Sequence, residues 1–464
     1  MAQEHSIWIA ATIVAIVVGT AQSAAGAPPQ VPSLPLQTAG YVDYAIVSLP
    51  AEYASGAVAA TNNTPDTNPI TDAGATLGRV LFYDKRLSVN NAVACASCHQ
   101  QSKGFSDSNQ FSSGFDGQLT ARHAPGLSNV TYYTNGKAFW DERAASIEDQ
   151  AIVPIQSPVE MGETLTDVVS KLSQTTFYPV LFQAAFGTPQ VTADRISKAL
   201  AQFERSMVSY QSKYDLAFAP GSTTPNFAAA GFTSDELAGE QLFNGAARCS
   251  ACHTTNAHVS NRVHNIGLDA TITDAGAGNG KFKAPSLRNI AVSDRFMHDG
   301  RFTSLEEVVQ FYSTGVQDSQ YLDPLLKTPL QLNLTQQQIN QLVAFLNTLT
   351  DNTFLTSSLF SNPFVTLPGD YNGDGVVNEV DYNVWHDNFG DSTSLVADGN
   401  GDYVVDGADY LIWRKNIGKT WEDLANGAGG ALASASAPEP AGVALAAICL
   451  ICSWAYRARR RPSG

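Results

Sequence analysis

The pattern of apolar and polar positions is helical over most of the chain. In "ATLGRVLFYDKRLS" the residues Leu77, Val80, Leu81 and, one turn on, Tyr83 or Asp84 fall along one side, the spacing of a helix with a buried face. Segments 164–186, 192–218 and 233–245 follow the same period. "TSDELAGEQLF" opens with a Ser/Thr cap and has Glu236 near the place of a capping-box acid. "TSLEEVVQFYSTG" (303–315) and "TQQQINQLVAFLNTL" (335–349) repeat that signal with cleaner periodicity. Strand-like alternation is scarce. The body from 76 to 350 is therefore expected to be mainly α, with long loops.

Both ends depart from this pattern. An apolar run from Ile7 to Gly19, followed by small residues around Ala21 to Ala27, reads as an export signal over 1–27. Its start lacks Lys or Arg and carries Glu4, so an uncleaved anchor is the alternative. Residues 28–75, rich in Ala, Pro, Thr and Asn, read as an N-terminal arm and linker. Beyond Leu349 come a short linker, a duplicated Asp/Asn-rich segment, a Gly/Ala/Ser stretch (427–437) and a final apolar run ending in "RARRR".

Charge narrows the partners. There are 43 acidic against 27 basic residues, a formal net charge of −16. Nucleic acid is excluded as a partner, since phosphate binding needs a clustered Lys/Arg surface. The acidity is mostly solvated surface, and it would suit a basic protein partner.

The six cysteines form three C-x-x-C pairs, at 95/98, 249/252 and 449/452. "CASCH" and "CSACH" each add a histidine, His99 and His253. C-x-x-C-H is the attachment signature of c-type haem: the two thiols form thioethers and the histidine turns onto the iron. Cys95, Cys98, Cys249 and Cys252 thus imply two covalent haems. Zinc knuckles are the rival, but zinc sites join halves over some tens of residues, and these stand about 150 apart. The third pair lies in an apolar run with Ser453 next and has no ligand role.

The flanking motifs carry a resemblance. "LGRVLFYDKRLS…CASCH", "FWDERAASIEDQAIVPIQSPVEMG" and "FKAPSLRNIAVSDRFMHDGRFTSLEEVVQFY" are similar to the bacterial dihaem cytochrome c peroxidase/MauG family, over roughly residues 42 to 350. The resemblance implies two c-type cytochrome domains packed together, a peroxidatic one over 76–225 and an electron-transfer one over 226–352. It makes His99 the proximal ligand of the first iron and His253 a ligand of the second. Glu160 of "VEMG" matches the distal acid/base, Gln150 a distal amide, and Trp140 the ring between the haems. Peroxide cleavage needs a proton taken from one oxygen and delivered to the other, which a carboxylate of raised pKa performs. An amide such as Gln150 donates a hydrogen bond without changing charge.

Other positions follow from the same resemblance. Where many members carry a methionine ligand to the second iron, which raises its potential, the count from Pro285 falls on Tyr312, the MauG-type choice. Met297 in "RFMHDG" is the rival ligand. His298 is expected to hydrogen-bond a propionate, and Arg288 to pair with a propionate or carboxylate. The loop "FSSGFDGQLTARHAP" offers Phe115 where reductively activated members carry a removable histidine, which implies an open first iron. His123 stands in place of the Asn of "NAP", a ligand of the calcium between the haems. An inter-haem calcium thereby lacks a ligand, and His123 becomes an alternative distal ligand.

The duplicated segment, within 366–420, has oxygen donors at alternate positions. Asp370, Asn372, Asp374, Asn378 and Asp381 occupy positions 1, 3, 5, 9 and 12 of a calcium loop, and Asp398, Asn400, Asp402, Asp406 and Asp409 repeat it. Val376 and Val404 supply backbone carbonyls at position 7. Asp at position 12 and the close repeat resemble a dockerin, a small helical calcium module with a cohesin-like partner. Tyr403 replaces the usual Gly at position 6 of the second loop. The 427–464 tail resembles a PEP-CTERM sorting signal: Pro438, Glu439, Pro440, an apolar run short of the ~20 residues that span a bilayer, then Arg457 to Arg461. It implies transient membrane anchoring.

Together these readings describe an exported enzyme of the periplasm or cell surface. It reduces hydrogen peroxide to water with electrons from a small donor protein, a cytochrome c or cupredoxin. The alternatives are MauG-like oxidation of a protein substrate and a non-catalytic dihaem electron-transfer cytochrome. Relatives dimerise, so a homodimer is a further expectation.

Overall fold

The structure, a computed structural model, describes residues 32, 43–45, 49–364, 367–372, 376–390, 397, 399 and 404–420. The export signal, most of the arm, Asp374, Asp398, Asn400, Asp402, Tyr403 and the sorting tail lie outside the described residues. The chain divides into two compact units, at Thr366/Leu367.

The first unit is built twice on one plan. In its N-terminal half the Asp72–Tyr83 and Ala193–Ser206 helices cross and enclose a core of Leu77, Leu81, Phe82, Leu200 and Phe203. In its C-terminal half the Ser234–Asn244 and Gln336–Asn347 helices do the same around Phe243, Leu342 and Phe345. A threonine hydroxyl caps each of the four: Thr71, Thr192, Thr233 and Thr335 accept a backbone N–H of the first turn. Glu236 and Gln338 complete capping boxes. Each crossing is seated on a glycine. A Cβ at Gly78 would clash with the Ala199 carbonyl and lie 2.7 Å from Phe203 Cβ. At Gly239 it would clash with the Gln341 carbonyl and lie 2.8 Å from Phe345 Cβ.

Several expected boundaries move. The first helix starts at Asp72, because Thr71 provides its cap. Segment 164–186 is two helices, Leu165–Ser173 and Tyr178–Phe186, the second opening on Pro179. Segment 192–218 is helical only to Ser206, followed by a short 3-10 turn at Asp215–Ala217. Segment 303–315 is the Leu305–Gln310 helix running into a π-turn at Phe311–Gly315. The sole ladder among the described residues pairs Val263–His264 with Phe282–Lys283, antiparallel. From residue 49 the expected arm is part of the body: Tyr53 and Val58 are buried with Tyr132 and Tyr133. Beyond Asp351 the chain returns to the first half and buries Phe354, Phe360 and Phe364 in its core.

The second unit carries the Asp/Asn repeat. Its helices, Glu379–Asp387 and Gly407–Asn416, each start with a capping box, Asn378 with Asp381 and Asp406 with Asp409. The Trp385 indole donates to the Asp406 carbonyl at 2.7 Å and the Trp413 indole to the Asn378 carbonyl at 2.8 Å. Each repeat thus clamps the start of the other's helix, over a core of Val377, Val405 and Trp413.

Gly239→Ala should lower stability by about 1–3 kcal/mol, the usual cost of overfilling a close-packed contact. Thermal unfolding checks this; an unchanged Tm would mean the helices separate freely.

Candidate functional site

The first C-x-x-C-H lies on a single helical turn, Cys95–Cys98, with His99 at its end. Ser97 Oγ caps the turn by accepting the Ala94 N–H at 3.0 Å. His99 Nδ1 is 2.7 Å from the Phe105 carbonyl oxygen, which places the ring proton on Nδ1 and the lone pair, the one a metal would take, on Nε2. Burial lowers the His99 pKa, keeping the ring neutral as a metal ligand must be. Cys95, Cys98, His99, Trp140, Gln150 and Glu160 line one cavity of about 610 Å³. Two free thiols and a neutral imidazole on its wall suit a covalently attached haem.

Glu160 reaches this cavity from the tight loop after the Val153–Gln156 helix. The Glu160 carbonyl accepts the Phe115 N–H at 2.9 Å. The Phe115 ring fills the space beside Gly162, where a Cβ would meet it. Phe115 therefore clamps the loop that carries Glu160. Burial pushes the Glu160 carboxyl above the ordinary glutamate range, partly offset by the Ser157 hydroxyl and Arg143. Gln150 stands on the Ile147–Ala151 helix, capped by Ser146.

The second motif lines another cavity, of about 260 Å³, with Cys249, Cys252, His253, Met297 and Tyr312. His253 Nδ1 stands 3.3 Å from the His258 carbonyl, and burial lowers its pKa to about 4. The geometry of the first motif is thus repeated. Tyr312 sits in the π-turn, a distortion frequent at functional sites. Among the described residues its hydroxyl has no hydrogen-bond partner, and burial pushes its pKa up. Met297 adopts φ 72°, uncommon for a non-glycine residue. Both rival ligands therefore face the same cavity.

Three further side chains are placed around the wall of this cavity. Arg288 engages Asp215 through both terminal nitrogens (2.7 and 2.8 Å), Ser212 Oγ at 2.7 Å and the Asn256 carbonyl. All its donors are engaged, so its partner is a carboxylate of the chain and none remains for a propionate. His298 lines the cavity with its ring stacked on Phe282, centroids 3.6 Å apart and planes at 12°. The His123 ring nitrogens lie 2.9 Å from Ser106 Oγ and 3.1 Å from the Asn109 carbonyl. They are engaged by protein, which argues against His123 as a distal ligand.

Trp140 and His123 line both cavities and form the wall between them. "HAPGLSN" and "KAPSLRN" repeat across the two halves, ending in Asn129 and Asn289 at φ 63° and 64°. Two loops follow the same repeat, bridged at Ala138/Ala144 and Phe296/Phe302. Their equivalent positions are Phe139 and Met297, both at positive φ, and Trp140 and His298, whose rings meet edge-on at 6.4 Å. The sequence reading missed this duplication and with it Arg122, Asp274 and Asn289; the A-P-x-L-x-N repeat was the signal available. Among the described residues no group of three or more His, Cys, Asp or Glu could hold a metal.

Residues 72–223 and 235–363 match the family described as di-haem cytochrome c peroxidase. The methylamine utilization protein MauG of Methylorubrum extorquens is 36% identical over 297 residues, covering 61% of this chain and 80% of that protein. Cytochrome c551 peroxidase of Nitrosomonas europaea is 32% identical over 327 residues, covering 66% and 89%. The crystal structure of a MauG-like protein associated with microbial copper homeostasis superposes with a TM-score of 0.57 at 30% identity, covering 65% of this chain and 96% of that one. The diheme peroxidase BthA of Burkholderia thailandensis shares the fold, with a TM-score of 0.52 at 21% identity over 64% of this chain and 91% of that one.

Proposed function

The chain belongs to the di-haem cytochrome c peroxidase family, and from that premise we propose that it reduces hydrogen peroxide to water in the Cys95–His99 cavity. The electrons come from a small redox protein, a cytochrome c or cupredoxin, and pass through the Cys249–His253 cavity. Family membership implies two c-type haems, held by Cys95, Cys98 and His99 and by Cys249, Cys252 and His253. When bound they supply a redox-active iron on each side of the wall.

The observation that carries the proposal is a buried carboxyl and an amide, Glu160 and Gln150, in the same cavity as His99. Peroxide reduction consumes two electrons and two protons and yields two waters. Glu160 accepts a proton from one peroxide oxygen and returns it to the departing one, for which its raised pKa suits it. Gln150 donates a hydrogen bond to the substrate oxygen and holds its orientation. The Phe105 carbonyl keeps His99 in one tautomer throughout.

A second reading, MauG-like oxidation of a protein substrate, is favoured by Tyr312 in the second cavity. The third, a non-catalytic electron carrier, leaves Glu160 without a task. We further assign residues 76–225 to the peroxidatic domain and 226–352 to the electron-transfer domain. We assign 366–420 to a dockerin-like module that binds calcium and a cohesin-like partner, and 427–464 to a sorting tail of an exported protein that forms a homodimer. The buried carboxylates of Asp381 and Asp409, each gathering two backbone N–H groups of its own loop, support a loop shaped for a cation.

Glu160→Gln should lower peroxide turnover by about 10²–10⁴-fold with both haems retained; unchanged turnover would eliminate the acid/base role. In the unsubstituted enzyme the acid/base must start as the carboxylate. Turnover should therefore fall as pH drops through the raised Glu160 pKa, so the acid limb lies above the ~4.3 of a free glutamate. Calorimetric calcium titration should give binding that disappears when Asp370 and Asp398 are both replaced by Ala; binding that survives would move the calcium elsewhere.

A further inference from the structure

One cation joins the two halves at the wall between the cavities. Arg122, just before His123, donates from Nε and Nη2 to the two oxygens of Asp274, both at 2.8 Å. Its Nη1 donates to Asp141 Oδ2 at 2.6 Å. Asp141 follows Trp140 in the first half, whereas Asp274 belongs to the second half and lines both cavities. The guanidinium carbon also stands 5.5 Å over the Phe282 ring, the ring on which His298 is stacked. Arg122 thus touches the acid beside Trp140 and the aromatic plate behind His298. Arg143 at 2.9 Å takes the other oxygen of Asp141, and the Gly276 N–H at 2.9 Å supports Asp274.

Charge explains why this position needs a cation. Arg122, Asp141 and Asp274 are all partly withdrawn from solvent, with side chains 21%, 14% and 33% exposed. Without the guanidinium Asp274 would lose its arginine partner and Asp141 would keep only Arg143, leaving two part-buried acids without the cation that bridges them. With the backbones of Trp140 and His298 held by main-chain bonds, what Arg122 fixes is the side-chain packing beside Trp140 and behind the Phe282–His298 stack. A planar donor serving two acids at once is a geometry lysine does not reproduce.

We propose that Arg122 is the positioning residue of the inter-cavity wall, setting the rate at which electrons pass between the two haems. The step moves one electron from the second haem to the first; no bond forms or breaks, and Arg122 is neither oxidised nor reduced. The proposal rests on the reading that electrons cross this wall.

The test is flash reduction of the full-length ferric holoprotein by a photoexcited dye, following by absorbance how the electron redistributes between the haems. Arg122→Gln should slow redistribution on the order of tenfold or more, as small misplacements of a reacting geometry do. Both haems and the circular dichroism should be retained. Arg122→Lys should fall between, and Asp274→Asn should slow transfer in an otherwise folded protein. EDTA treatment of the unsubstituted protein should leave its rate unchanged. An unchanged rate in Arg122→Gln overturns the proposal, as does a loss of rate on chelation, which would assign the wall to a metal. If the unsubstituted protein shows no redistribution at all, the reading of an inter-haem path fails and the proposal with it.

Discussion

Two backbone hydrogen bonds that cross between the halves set the main-chain register on which the wall between the cavities depends. The His123 N–H donates to the His298 carbonyl at 2.9 Å, and the Lys283 N–H donates to the Trp140 carbonyl at 2.8 Å. They are equivalent bonds in a duplicated structure, each joining the residue just before an Ala-Pro turn to the loop of the other half. A buried amide left unpaired is costly, so the halves cannot slide relative to one another without losing both. Within the first half the Trp140 indole donates to the His123 carbonyl at 2.7 Å, tying together the two residues that make those bonds. The wall between the cavities is therefore a register, set by main-chain atoms.

The duplication gives two cavities of one plan but different lining. Equivalent loops carry equivalent ion pairs, Asp141–Arg143 and Asp299–Arg301, at 2.9 and 2.6 Å. The side chains that face the cavities differ. The first half adds a tight loop that brings Glu160 over its cavity, held by the Phe115 N–H. The second half has instead a π-turn that presents Tyr312, and Met297 where the first has Phe139. A carboxyl lines one cavity, and a tyrosine with a methionine lines the other.

The sequence was informative wherever the determinant is local. The C-x-x-C-H motifs declare themselves, and the Ser234–Asn244 and Gln336–Asn347 helices were legible because Glu236 and Gln338 complete capping boxes three residues after their threonines. What was not legible depends on distant partners. The Ala193–Ser206 helix stops early because Asp351 Oδ2 captures the N–H groups of Tyr210 and Gln211, 141 and 140 residues away. The return of Phe354, Phe360 and Phe364 to the first core is likewise a long-range fact, since their spacing resembles a linker. For Arg288 a carboxylate was among the expected partners, but which one was not legible, because Asp215 lies 73 residues away and carries no motif. Arg122 and Asp274 went unseen for the same reason.

The central claim is that the first cavity is open to peroxide and carries its own acid/base while the second holds a differently ligated haem. The most direct measurement is the optical and EPR spectrum of the purified ferric protein before and after one equivalent of hydrogen peroxide. The account predicts a high-spin signal beside a low-spin one, and prompt loss of the high-spin signal on adding peroxide. Two low-spin haems that ignore peroxide until the protein is partly reduced would contradict it.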